Sequence, residues 1–131
     1  MEFVRFHSPA VSPFTGEPYG FFVAVWHLIR DGRTSEEETR GYWEHRSWFE
    51  ANLPIPPYYA EGNPDRAVTW FKEARLTEGM RSRLSFYFDL AQKYGIEIVT
   101  SRSTSPGAVL YEDEFQIAVA GRGSEALNSD S

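Results

Sequence analysis

Apolar and polar residues alternate over residues 2–7, with Val4 and Phe6 on one side and Phe3, Arg5 and His7 on the other, which predicts a short strand. Residues 8–20 are interrupted by Pro9, Pro13, Gly16, Pro18 and Gly20 and predict a loop. From Phe21 to Arg30 the apolar spacing turns helical: Phe21, Phe22, Val25, Leu28 and Ile29 share a side, and Asp31-Gly32 ends the run. Ser35 with Glu38 three positions later is a capping box, and Glu36, Glu37 and Glu38 suit the positive end of a helix. That helix should continue to about Leu53, burying Tyr42, Phe49 and Leu53 until Pro54 stops it. Trp43 and Trp48 fall off this seam, so at least one should pack elsewhere or stay partly exposed. Residues 67–72 carry Val68, Thr69, Trp70 and Phe71, a strand composition. Residues 77–94 form the clearest helix, with a stripe of Met80, Leu84, Tyr87, Phe88 and Ala91 and Gly95 placed to end it. Residues 96–101 predict a strand, Ser105-Pro106-Gly107 a type II turn, and residues 109–119 one long last strand.

The expected fold is α+β, in the order β-α-α-β-α-β-β. A mixed sheet of about four strands should carry three helices over one face. Residues 67–101 should form a right-handed parallel crossover, followed by an antiparallel pair. Residues 1–120 make a single domain in this reading. Residues 121–131, small and polar, make a flexible tail.

Composition sharpens the picture in three places. Aromatic residues make up 16% of the 131, enough for a ring-rich core or an aromatic binding surface. The net charge of -6 removes the broad basic footprint of a general nucleic-acid binder; 13 basic residues, all Arg except Lys72 and Lys93, still permit a local anion patch. With no cysteine, thiol nucleophiles and disulfides are excluded. The first residues lack a basic stretch followed by an apolar run, and the longest apolar stretch, residues 21–26, is too short to span a bilayer. The expectation is a cytoplasmic protein.

No phosphate-binding GxxxxGK[ST], no GxGxxG and no HExxH pattern occurs. His7, His27 and His45 are spaced wrongly for a local metal site, so neither a metal nor another cofactor is expected. Asp113 lies on the apolar side of the predicted last strand. A bulge turning it to solvent, or an ion pair, would relieve that burial; a carboxylate held in a cleft is the functional alternative. If the first three strands run parallel, their carboxyl ends collect His7 and Ser8, Lys72 and Arg75, and Arg102 and Ser103 at one edge, with Tyr111 beside them. Such an edge suits a phosphate or carboxylate. The proline-bounded stretch 54–65 is a long connection. Its Tyr58 and Tyr59, together with Trp70, either cap the core or form a partly exposed interaction surface.

Residues 6–9, 12–20, 48–54, 62–72 and 106–119 resemble a group of small single-domain bacterial proteins. The resemblance implies a stand-alone bacterial domain and carries over no activity, cofactor or catalytic residue. Three functions follow as expectations. The first is a non-catalytic protein- or ligand-binding domain. The second is a small metal-independent enzyme on a phosphate-bearing substrate, with His7 (or Asp113) as acid or base and Lys72 and Arg102 on the anion. The third is a structural homodimer. A protein, a small anionic ligand or a second copy of the chain are the partners these imply; a membrane is not among them, and nucleic acid is disfavoured.

Overall fold

Strand β1 (Phe3–Val11) is the hub of the sheet, and it extends four residues past the expected end at His7. The computed structural model describes residues 1–54, 56, 58, 61–63 and 66–121. Beyond His7 the strand pairs with β2 (Pro18–Gly20), and their register shifts between His7 and Val11. Pro9 falls in that shift, where a residue without a backbone donor is tolerated. The breakers of residues 8–20 therefore build a hairpin rather than a loop. Its turn is closed by Ser12 N–H to Glu17 O at 2.8 Å and Gly16 N–H to Ser12 O at 2.9 Å, with Gly16 at φ 73°.

The helices follow the apolar spacing closely. α1 is Phe21–Arg30 and α2 is Glu36–Asn52, and both arms of the Ser35–Glu38 capping box form, at 2.8 and 3.1 Å. Trp43 is exposed while Trp48 packs against the core. β3 (Ala67–Lys72) leads through a single 3-10 turn, Glu73–Arg75, to α3 (Glu78–Lys93), capped by Thr77. The next strand, β4 (Val99–Ser103), starts three residues later than its alternation suggests. Ile96 N–H is spent on Ala91 O at 2.8 Å, closing the end of α3 around Gly95, and Ile96 and Ile98 pack on the helices.

The expected long last strand is two strands, β5 (Val109–Glu112) and β6 (Gln116–Ala120). Asp113 makes the break: its Oδ1 accepts from Phe115 N–H at 2.8 Å and Gln116 N–H at 3.0 Å, and its own N–H donates to Gln116 O at 2.9 Å. A carboxylate bonding backbone two and three residues ahead is a turn former, which alternation alone does not reveal.

The result is an α+β fold that has, among the described residues, three α-helices and a curled six-stranded sheet in the order β2-β1-β3-β6-β5, with β4 also on β1. Every hydrogen-bonded strand pair among the described residues is antiparallel, so the expected mixed sheet of four strands is corrected. β3 and β4 do run in the same direction, but β1 lies between them, antiparallel to both. The helices cover one face, burying Val4 and Phe71 with Phe21, Val25, Tyr42, Phe49, Leu84, Tyr87 and Leu90. A smaller cluster, Val68, Ile117 and Val119 with Phe3 and Trp70, lies on the other face. Among the described residues no helix is long and apolar enough to cross a membrane. Most of the expected tail, residues 122–131, lies outside the described residues.

Candidate functional site: a cavity in the fork of the sheet

β2 and β3 occupy the same edge of β1. Phe3 and Val4 pair with β3 on that side and with β4 on the other; His7 pairs with β2 on that side and again with β4 on the other. The last rung to β3 is Val4–Phe71 and the first to β2 is His7–Gly20, so neither ladder includes Arg5 or Phe6. β3 instead keeps its full pairing with β6. The sheet therefore forks, and a cavity of about 600 Å³ fills the gap, within the size range of small-molecule sites.

Each wall is held in place by contacts between residues far apart in the chain. The turn after β1 crosses the fork: Phe14 lies under the Arg66 guanidinium at 5.5 Å, and a Cβ on Gly121 would stand 2.6 Å from Thr15 O and 2.7 Å from Arg66 O. Glycine at position 121 is what lets this turn dock against the start of β3. The end of α2 is tied to β6 by Gln116 Nε2 donating to Pro54 O at 2.6 Å; the same nitrogen donates to Asp113 Oδ2 at 3.1 Å. Phe6, Phe21, Phe22, Phe49, Leu53 and Phe71 supply an apolar and mostly aromatic lining.

Among the described residues, the charged part of the lining is two arginines and one carboxylate. Arg5 and Arg46 both line the cavity, against one carboxylate, Glu50. Arg5 donates to Pro18 O, which holds its guanidinium toward β2. Arg46 Nε donates to Glu50 at 3.1 Å and its Nη1 to the Tyr42 hydroxyl at 3.4 Å. Burial works against the Arg46 charge, but these bonds outweigh it and its pKa is raised; burial likewise pushes the Tyr42 hydroxyl up. The first turn of α1 also lines the cavity, has Gly20 as an N-cap without a side-chain bond, and contains no acid. The start of a helix carries partial positive charge.

The residues expected to form an anion-binding edge are dispersed, because the strands are antiparallel. Lys72 pairs across from Phe3, whereas His7 lies four residues along β1, about 13 Å away at the rise of a strand. Lys72 Nζ bonds Glu112 at 2.6 Å, Arg102 bonds Glu73 at 3.0 Å, and Arg75 is 4.0 Å from Glu114. Arg102 pairs opposite Val4 and Lys72 opposite Phe3, so the two lie on different faces. Ser103 stands opposite Phe3, and Ser8 is buried next to His7. Tyr111 packs edge-on against Tyr58 at 6.3 Å, and burial, then a bond to Asp113, raises its pKa. Trp70 joins the Val68–Ile117 cluster, and Tyr59 lies outside the described residues. Asp113 is engaged by its turn. His27 packs edge-on against Tyr19 and His45 against Phe86, and no metal-binding cluster occurs among the described residues.

The cavity residues were not legible as a site. Phe21, Phe49 and Phe71 announce only a core. Nothing in the alternation of β1 shows that one of its edges is shared between two strands.

No protein-family model, no curated protein and no solved structure matches this chain.

Proposed function

We propose that the sheet fork is a binding site for a small apolar acid, a ring or chain of carbon ending in a carboxylate, and that binding there involves no catalysis. The observation that carries this reading is the cavity of about 600 Å³ in the sheet fork. Its aromatic lining takes the apolar body, by burial of area. Arg5, Arg46 and the start of α1 favour a negative head group over a neutral one. No nucleophile or base is needed for this role.

A thermal-shift series tests it. Hydrophobic carboxylates of increasing size are compared with the matching alcohols. Ligand at 100 times its Kd adds about 2.7 kcal/mol of stability by mass action. The acids should raise Tm more than the alcohols, with a size limit set by the cavity. Thr69→Phe, which fills the cavity from β3, should abolish the shift while the protein stays folded. A flat response to every compound, or an unchanged response in Thr69→Phe, rejects the reading.

A further inference from the structure

His7 and Ser101 meet across β1 and β4, at 2.6 Å between Nε2 and Oγ. The other ring nitrogen, Nδ1, stands 2.9 Å from the backbone oxygen of Ser8. A carbonyl oxygen only accepts, so Nδ1 carries the proton. In the neutral ring Nε2 then offers its lone pair, and the Ser101 hydroxyl must be the donor. The serine proton is thus already directed at a base whose orientation is fixed by a third group, the arrangement that activates a serine for attack.

Access and surroundings agree with this chemistry. His7 is buried, at 9% exposure, whereas Ser101 is half-buried and can be reached from solvent. β4 pairs with β1 alone among the described residues. An edge strand keeps alternate backbone N–H groups outside the ladder, where they can donate to a developing oxyanion.

We propose that Ser101 is a nucleophile and His7 its base, together accepting the acyl group of a carboxylic ester. His7 Nε2 takes the hydroxyl proton as the Ser101 Oγ–carbon bond forms. The ester C–O bond then breaks, and the alcohol leaves with the proton from His7. Water attacks the acyl-serine, giving one proton to His7, which returns it to Oγ as the acid departs. This site is separate from the cavity's binding role and does not depend on it.

The test is covalent capture with a fluorophosphonate. Attack by Ser101 forms an O–P bond, breaks the P–F bond and releases fluoride, with the serine proton passing to His7. Ser103 lies two residues on, on the same face of the same strand, and serves as the internal control; Arg102 between them lets trypsin place the two serines on separate peptides. The expected result is an adduct on Ser101 and none on Ser103, lost in Ser101→Ala. In His7→Gln, checked as folded by circular dichroism, labelling should slow by about 100-fold or more. No adduct on Ser101, equal labelling of Ser103, or an unchanged rate in a folded His7→Gln overturns the proposal. If His7→Gln does not fold, the ratio of Ser101 to Ser103 labelling in the unaltered chain decides.

Discussion

Gly41 on α2 lies directly beneath the ring of Phe86 on α3: a Cβ at position 41 would stand 2.7 Å from Cζ and 2.8 Å from Cε2. In an exposed helix, Gly→Ala gains about 1 kcal/mol of propensity. Here the new methyl drives the Phe86 ring off its place, where it stacks at 4.5 Å on His45 and at 5.5 Å edge-on against Tyr87. Overpacking of this kind costs about 1–3 kcal/mol. Gly41→Ala should therefore be destabilising on balance, and pairing it with Phe86→Leu should recover the loss. Urea melts of the two single variants and the double variant measure the coupling. A stabilised Gly41→Ala would mean the helices can part at no cost.

The acid limb of stability should depend on Glu38. Its carboxylate accepts from Lys93 at 2.7 Å and from Ser35 N–H at 2.8 Å, and it also bonds the Tyr94 hydroxyl. With Lys93 the leading cause, followed by the Ser35 backbone and Tyr94, its pKa falls from an ordinary 4.5 to about 2. A depressed carboxylate stabilises the fold fully above its unfolded value and loses that contribution as pH falls through its folded one. The Tm difference between the parent chain and Glu38→Gln should thus be largest above pH 4.5 and shrink between pH 4.5 and about 2. A difference independent of pH across that window would show that the group acts through packing rather than charge.

What could be read from the chain divides by range. α1, both arms of the Ser35 capping box and the Thr77 start of α3 depend on residues within one turn, and all were visible. The break at Asp113 was also local, and a bulge there was one expectation, but a polar residue on an apolar face does not distinguish a bulge from a turn that ends the strand. The β1–β2 hairpin was masked because Pro9 and Pro18 look like loop formers, while the register shift and a three-residue edge strand accommodate them. The fork is different in kind. It arises from which strand β3 prefers as a neighbour, and its full ladder with β6 decides that over β1. The pairing of His7 with Ser101 spans 94 positions and follows only from the antiparallel register. His7 was singled out from sequence; its partner was not.

Asp113 should prove structural. Its two carboxylate oxygens take bonds from Phe115, from the Gln116 backbone and from the Gln116 amide, which in turn holds Pro54. Asp113→Ala removes the acceptor for all of these and should cost about 1–3 kcal/mol. Asp113→Asn keeps an acceptor and should cost less. Chemical denaturation ranks the three proteins. Equal stability of the alanine variant and the parent would free the carboxylate for another role.

Lys72 gives the sharpest contrast between a structural and a ligand-binding role. Its side chain is 10% exposed and its ammonium sits 2.6 Å from Glu112, whose own side chain is 53% exposed. Removing one member of a buried pair leaves the other charge desolvated, whereas replacing the buried charge with an apolar chain of similar length removes that cost. Glu112→Gln leaves the buried ammonium with a weaker, neutral acceptor. Water reaches the Glu112 side, so the loss is discounted to about 1–2 kcal/mol. Lys72→Met lets the chain pack with nothing left to solvate and should cost less, or nothing. Glu112 is then an exposed residue whose loss matters more than that of its buried partner. Parallel urea titrations of the two variants give the ranking directly, and phosphate added to each should change neither midpoint by more than it changes the parent. If Lys72→Met is the more destabilised, or if phosphate stabilises the parent and fails to stabilise Lys72→Met, the lysine serves an anion rather than the fold.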